Sequence, residues 1–442
     1  MFLKGDKAAK DHDNAPDPSV AVDIGTSKIR LIAGSVDGEN IVNISYYAEV
    51  SSSGVSNSSV SSIDKLADKL AELIDDYENK TGRTFSHCVM GISGRHIESC
   101  NESGSATVPT SYVTVSDRDH AIEDVRAIVF GEYKHLIHLI PNSYTLSGTT
   151  TRDDPINMRG SRLKVNAHLI NCNEDQESNF RSAFTKLTKS FKIDHVIYSG
   201  IAAADAVLTE EEKEIGVCLI DIGGGSVNVS VYDQNDLVMT FGVEQGGTGI
   251  TREIATRYGI PLSTAEMIKV NYGLAHPALL TEENKNKGLS IPVNNGEEPR
   301  AVAFSDLAKV IGLKLSDILK IVSDRIDHKK RTEGIDITLG AGFVLTGGVA
   351  CTRGMATLAS NMLAPRDSSQ RVKARVGIPC GVTGSDEVAK PDCATAVGLL
   401  RFANSLTAQE YRNLAMQKEE KASNGVIKRG YTWIRNWLAH EF

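Results

Sequence analysis

Val20-Ala-Val-Asp-Ile-Gly-Thr-Ser-Lys28 and Ile215-Gly-Val-Cys-Leu-Ile-Asp-Ile-Gly-Gly-Gly-Ser226 share one design. In each, an apolar run ends in an aspartate, Asp23 or Asp221, and breaks into a glycine turn. The run reads as a buried strand. The turn is too tight for side chains, so its backbone N–H groups can point at phosphate oxygens. A third stretch, Phe343-Val-Leu-Thr-Gly-Gly-Val349, is again a strand followed by a glycine pair. A single turn of this kind also suits an ordinary hairpin. Three in order, each after an apolar strand, point to two related half-domains gripping one nucleoside triphosphate from opposite sides. The rival phosphate-binding patterns, G-x-x-x-x-G-K-[ST] and G-x-G-x-x-G opening a helix, are absent from the sequence.

This order of turns is similar to that of the actin/Hsp70/sugar-kinase superfamily and sets the expected roles. Gly25, Thr26, Ser27 and Lys28 would cradle the β- and γ-phosphates of ATP. Gly223, Gly224, Gly225 and Ser226 would face them, and Gly347, Gly348 and Val349 would lie under the adenosine. Asp23 and Asp221 deliver carboxylates to the same spot, where Mg2+ would be held through water. An aspartate that only caps its own turn is the alternative for either. Ser263-Thr-Ala-Glu-Met-Ile-Lys269 reads as a helix start with Ser263 as N-cap and Glu266 in the capping-box position. Glu266 and Lys269 share a face and can reach ribose and base; a cap plus a surface ion pair is the simpler explanation from sequence alone. No Gln or Glu is clearly placed to orient an attacking water, and His195 reads as part of a surface turn. Binding is therefore expected, with weak or no hydrolysis and no metabolic reaction.

Composition narrows the classes. The 442 residues allow two to four domains and a sizeable core. With 41% hydrophobic and 24% charged residues the chain is an ordinary globular one. A net charge of −8 argues against a nucleic-acid partner. The seven cysteines are odd in number and scattered, with no C-x-x-C pair, and read as small hydrophobes in a reducing compartment. No apolar stretch reaches membrane-spanning length.

The expected fold is α/β: two lobes of βαβ-type sheet with flanking helices, an extra α+β subdomain and a C-terminal amphipathic helix. Residues 1–19 read as a disordered leader, and 20–84 with 166–198 as the first lobe. Residues 85–165 read as an inserted subdomain. Residues 199–246 with 336–400 form the second lobe, and 247–335 a small, mostly helical subdomain on it. Within these, Phe180 to Phe191 reads as a helix. The alanine-rich helix from Ser199 to Leu208 suits either a link passing between the lobes or a plain core helix. Residues 401–424 read as a linker and 425–442 as the terminal helix.

On a helical wheel of about 100° per residue, Ile427, Tyr431, Ile434, Leu438 and Phe442 share one face. Trp437 lies beside it and Trp433 at its edge. Lys428, Arg429 and Arg435 flank or oppose that face, and Glu441 alone violates it. Such a helix suits the interface of an anionic membrane; docking on the protein's own body is the alternative. The basic residues add roughly 1 kcal/mol each over anionic lipid, while ordering a free tail takes some of this back. One tail would hold weakly and reversibly, and several on one polymer firmly.

Several stretches together resemble the FtsA family of bacterial cell-division proteins. They are Asp23-Ile-Gly-Thr-Ser-Lys28, Gly91-Ile-Ser-Gly-Arg-His-Ile97, Val165-Asn-Ala-His-Leu-Ile-Asn-Cys172, Gly216 to Ser226, Phe343 to Gly348, Ala394-Thr-Ala-Val-Gly-Leu-Leu400 and the Trp-Leu-x-x-Glu-Phe ending at Phe442. The resemblance implies an ATP-binding protein that polymerises on the cytoplasmic face of the bacterial inner membrane at the division septum. There it would tether the FtsZ ring and recruit later division proteins. It also implies that the FtsZ C-terminal peptide docks on 247–335, where Arg300 and Lys314 would meet its acidic residues. The segment 85–165 would serve contacts between copies and with later division proteins. Ser226 stands where the family often has Thr, and keeps the hydroxyl. A soluble kinase of the same superfamily has no use for the Trp433/Trp437 tail. An FtsA-like pilus assembly protein should lack that helix. A chaperone of the Hsp70 type would need a further β-rich domain.

Overall fold

A computed structural model describes residues 18–38, 40–128, 130–187, 191–285, 287–291, 299–364 and 372–404. The leader up to residue 17, most of the 401–424 linker and the whole amphipathic tail lie outside the described residues.

The first lobe opens with β1 (Ser19–Ile24), β2 (Lys28–Val36) and β3 (Val42–Ser51), an antiparallel meander. Every residue of β1 is buried, as its apolar run requires of a central strand covered on both faces. Ser19 is already in that strand, so the leader ends before it. A small hairpin, β4 (Val55–Ser56) and β5 (Ser59–Val60), leads into α1 (Ile63–Thr81). Ser62 caps α1 by accepting from the Lys65 amide, and Gly82 ends it in the left-handed conformation. Leu66, Leu70, Leu73, Ile74 and Tyr77 bury one face of it. The chain then lays β6 (His87–Ile92) parallel to β1.

An inserted unit follows. It contains β7 (Glu98–Thr107), α2 (Val115–Arg126), β8 (Lys134–Leu146), β9 (Thr149–Thr151) and β10 (Arg162–Asn173). Its four-stranded sheet has the order β7-β10-β8-β9, and α2 covers a separate small core around Val125 and Leu169. The boundaries differ from 85–165: β6 hydrogen-bonds into the first lobe's sheet, and β10 stays in the inserted sheet to Asn173.

Next come α3 (Glu174–Thr185) and β11 (Lys192–Tyr198), which completes the order β11-β6-β1-β2-β3. The helix expected over Phe180–Phe191 lies earlier because Asn173 caps it, accepting from the Gln176 amide at 3.1 Å. His195 is within β11, not in a surface turn.

The second lobe repeats the pattern. After α4 (Ser199–Val207) and the short α5 (Glu210–Glu214) come β12 (Val217–Ile222), β13 (Val227–Asp233) and β14 (Asp236–Val243), again an antiparallel meander. The excursion at 247–335 holds α6 (Gly247–Tyr258), α7 (Leu262–Tyr272), the hairpin β15 (Gly288–Ile291) with β16 (Arg300–Ala303), and the long α8 (Phe304–Glu333). The chain returns as β17 (Gly342–Thr346), α9 (Met355–Met362) and β18 (Ala374–Val376), with β17 parallel to β12 and β18 parallel to β17. The order β14-β13-β12-β17-β18 reproduces that of the first lobe. A short β19 (Val382–Thr383) crosses back to pair with β3, and α10 (Ala394–Asn404) closes the described chain. The linker therefore starts later than residue 401, because Arg401 is inside α10 and is buried.

The two sheets meet through α4 and α10. Among α4 residues only Asp205 is not fully buried, and the core around it joins Val89 and Ile197 of one lobe to Leu219 and Val344 of the other. A Cβ on Gly398 of α10 would lie 1.8 Å from the Ala202 carbonyl oxygen, so the helices cross backbone to backbone. Small residues permit that approach, which makes α4 the link between lobes.

Candidate functional site

Both aspartate turns sit at the carboxyl ends of the central strands β1 and β12, where open α/β sheets present ligand sites. They close identically: Gly25 N–H donates to the Lys28 carbonyl at 3.0 Å, and Gly223 N–H to the Ser226 carbonyl at 2.9 Å. The turns face each other. A Cβ on Gly224 would lie 2.2 Å from Ser27 Oγ, and one on Gly225 would lie 2.3 Å from Thr26 Oγ1. Among the described residues, the amides of Thr26, Ser27, Gly224 and Gly225 make no hydrogen bond. Ser226 Oγ accepts from Ser58 Oγ at 2.8 Å, and the Ser58 amide donates to Thr26 Oγ1 at 3.0 Å, so the β4–β5 hairpin bridges both turns.

Beneath the turns lie two buried carboxylates. Asp221 accepts from Asn228 Nδ2 at 3.1 Å. Burial pushes its carboxyl up to about 6, and the charge of Asp23 adds to the rise. Burial raises Asp23 as well, against the pull of Arg30 at 3.6 Å. Two acids whose ionised forms are disfavoured in this way suit a cation between them. Gly347, at φ +84, passes so close that a Cβ there would meet Asp221 Oδ1 at 2.4 Å. The third turn therefore joins the same site.

On the opposite wall, Gly247 N–H and Thr248 N–H donate to the Gly223 and Gly224 carbonyls, holding the start of α6 against the second turn. Lys269 Nζ donates to the Gly247 carbonyl at 3.2 Å, to Thr251 Oγ1 at 2.9 Å and to Glu266 at 2.7 Å. A Cβ on Gly247 would touch both Val349 and Lys269. Val349, Glu266 and Lys269 thus converge on this wall. The capping box does not form: Pro261 is the N-cap and Ser263 lies inside α7. Proline's fixed φ starts the helix before the serine can cap it.

Lys28 goes elsewhere. Its ammonium pairs with Glu49 at 2.5 Å and lies 3.8 Å from Asp392, so only its backbone serves the turn. Sequence reasoning also missed the network around it. Arg30, 8% exposed in its side chain, reaches Asp392 at 2.7 Å, Glu49 at 3.1 Å and Asp23 at 3.6 Å. Thr395 faces Asp221 and favours its ionised form. A buried arginine two residues into a strand is a signal that was available; the arrival of Asp392 from the far end of the chain was not.

Of the two residues expected to meet a peptide, Lys314 pairs with Glu253 at 3.2 Å. It lines a cavity of about 400 Å3 with Arg252, Thr256 and Gly225. Arg300 lies in β16, in register with Ile291. Among the described residues no helix is long and apolar enough to cross a membrane.

Known proteins match along nearly the whole chain. The family model "Cell division protein FtsA" matches residues 218–398, and "SHS2 domain inserted in FTSA" matches 94–171. The cell division protein FtsA of Escherichia coli strain K12 is 30% identical over 423 residues, spanning 94% of this chain and 97% of that protein. The chain belongs to the FtsA family of cell-division proteins. FtsA of Neisseria meningitidis serogroup B is likewise 30% identical, over 94% of this chain and 97% of its own length. The inserted-domain match begins after β6, in agreement with the sheet membership above. Among solved structures, a PilM-PilN type IV pilus biogenesis complex aligns at a TM-score of 0.59 and 16% identity, covering 87% of this chain and 98% of that one. MreB5 of Spiroplasma citri bound to ADP aligns at 0.50 and 12%, covering 90% and 98%. These likenesses establish the actin-like fold.

Proposed function

We propose that the chain holds Mg2+–ATP between its two facing turns and in that state assembles with copies of itself on the cytoplasmic face of the bacterial inner membrane. There it tethers the FtsZ ring at the division septum and recruits later division proteins. The observation that carries the nucleotide reading is the opposition of Gly224 and Gly225 to Ser27 and Thr26, with amides on both sides that make no hydrogen bond among the described residues. The donor set fits the ligand. Amides and hydroxyls of Thr26, Ser27 and Ser226 suit phosphate oxygens, and Asp23 and Asp221 suit a water-held Mg2+. The ion would neutralise the paired carboxylates and the phosphates together. Gly347, Gly348 and Val349 would lie under the adenosine, with Glu266 and Lys269 toward the ribose. No side chain is assigned to activating water, and the role proposed is binding with weak or no hydrolysis.

The segment Val426–Phe442 supplies the membrane contact through Ile427, Tyr431, Trp433, Ile434, Trp437, Leu438 and Phe442, helped by Lys428, Arg429 and Arg435. The FtsZ C-terminal peptide docks on 247–335, drawing on Arg300 and Lys314.

Flotation with anionic liposomes and ATP tests this, comparing the full chain with a version stopped after Ser423. The full chain alone should float. If both float, the membrane contact lies outside the tail. If neither floats, the tail docks on the body and a soluble kinase of the same superfamily is the better reading.

A further inference from the structure

Where the inserted sheet rejoins the first lobe, three metal-ligating side chains converge that the nucleotide site does not use. Cys172 on β10 and His135 on β8 are direct cross-strand partners. Glu177 comes from the first turns of α3, immediately after β10. Their candidate ligand atoms all lie within 4.8 Å of one another. Glu177 Oε2 is 2.6 Å from His135 Nε2 and 3.6 Å from Cys172 Sγ, and that sulfur is 4.0 Å from His135 Nε2. Cys172 and Glu177 are buried, while the His135 side chain is 38% exposed, which leaves an entry path.

We propose that His135, Cys172 and Glu177 form a binding site for a thiolate-preferring divalent cation, zinc above all. Zinc bonds of about 2.3 Å to sulfur and about 2.0–2.1 Å to nitrogen and oxygen put tetrahedral ligands roughly 3.3–3.6 Å apart. The sulfur–carboxylate separation already fits. The sulfur–imidazole separation needs to shrink by a few tenths of an ångström, and the imidazole–carboxylate one must open by about 0.7 Å. Both are within reach of a half-exposed histidine ring. The solvent side of His135 leaves the fourth position to water. A thiolate, a carboxylate and a neutral imidazole balance the double positive charge, and binding displaces one proton from Cys172. Thiolate selects zinc over Mg2+ and Ca2+. Arg181 Nε donates to the other Glu177 oxygen, Oε1, at 2.6 Å and so orients Oε2 toward the ion, as an outer partner of a ligating carboxylate does. The ion would join β8, β10 and α3 at the root of the inserted unit, which fixes how that unit stands on the first lobe.

The test uses the full chain, stripped with a chelator and titrated with Co2+ as the spectroscopic stand-in. One equivalent should bring up a thiolate-to-cobalt absorption band, and zinc should erase it. Cys172→Ser should lose the band and His135→Gln should weaken it. Arg181→Met, which keeps every ligand, should bind about 10- to 100-fold more weakly. Zinc should raise the thermal midpoint of the wild type by more than that of His135→Gln; this second reading stands even if Cys172→Ser folds poorly. Absence of the band, its survival in Cys172→Ser, or a zinc response equal in wild type and His135→Gln would each overturn the site and leave a hydrogen-bonded cluster only.

Discussion

Replacing Gly398 by alanine should destabilise the protein, although the same change usually strengthens a helix. The added Cβ would stand 1.8 Å from the Ala202 carbonyl oxygen, against about 3.4 Å for an ordinary contact, so α10 and α4 must part by about 1.6 Å. Overpacking of a close-packed core costs about 1–3 kcal/mol. The obstacle is a backbone carbonyl of a buried helix, with no flexible side chain to swing aside, which puts the cost at the upper end. Helix propensity returns about 1 kcal/mol, leaving a net loss of about 2 kcal/mol. Gly249 in α6 is the control: nothing lies within 4 Å of its added Cβ, so alanine there should stabilise by about 0.5 kcal/mol. Urea unfolding followed by circular dichroism reads both. Equal signs for the two variants would refute the close crossing on which the joint between the lobes depends.

Asp221→Asn should stabilise the ligand-free protein near neutral pH while weakening Mg2+–ATP binding. The folded carboxyl is raised to about 6 by burial. Its favourable contribution is therefore full below the unfolded value near 3.8 and lost as pH rises through about 6. The gap between variant and wild type should widen over that window to about 3 kcal/mol and then level off; urea midpoints across pH measure it. His168, which is buried, and His138, which is half-buried, are both lowered to about 3 by desolvation and act oppositely. Their neutral forms stabilise the fold above about pH 6.5, and that contribution is lost as pH falls toward 3. His168→Gln should flatten part of this acid slope. Arg30→Leu should cost about 3–5 kcal/mol, because it leaves the buried Asp23 without its cation and Asp392 with only the more distant Lys28; thermal melts at pH 7 should show it.

The repeated turns and the buried strands that lead into them at Val20 and Ile215 were legible because apolar runs and glycine turns are local patterns. What failed was non-local. His87–Ile92 is a plain apolar strand, and nothing in it says that its neighbour is β1 rather than the inserted sheet. Ser263 fits a capping box by pattern, but Pro261 starts the helix two residues earlier. Lys28 follows the first turn in sequence, yet Glu49 and Asp392, from β3 and from the segment before α10, draw its ammonium away. The Arg30–Asp392 pair and the His135–Cys172–Glu177 cluster join distant segments that only the fold brings together.

The most direct test of the nucleotide site is calorimetric titration of Mg2+–ATP into the full chain and into Gly225→Val. Gly225 is buried against Thr26 Oγ1 and the Asn57 backbone, so a valine there wedges the facing turns apart. The wild type should bind one ATP and the folded variant none. Equal binding by both, or none by the wild type, would contradict a nucleotide held between these turns.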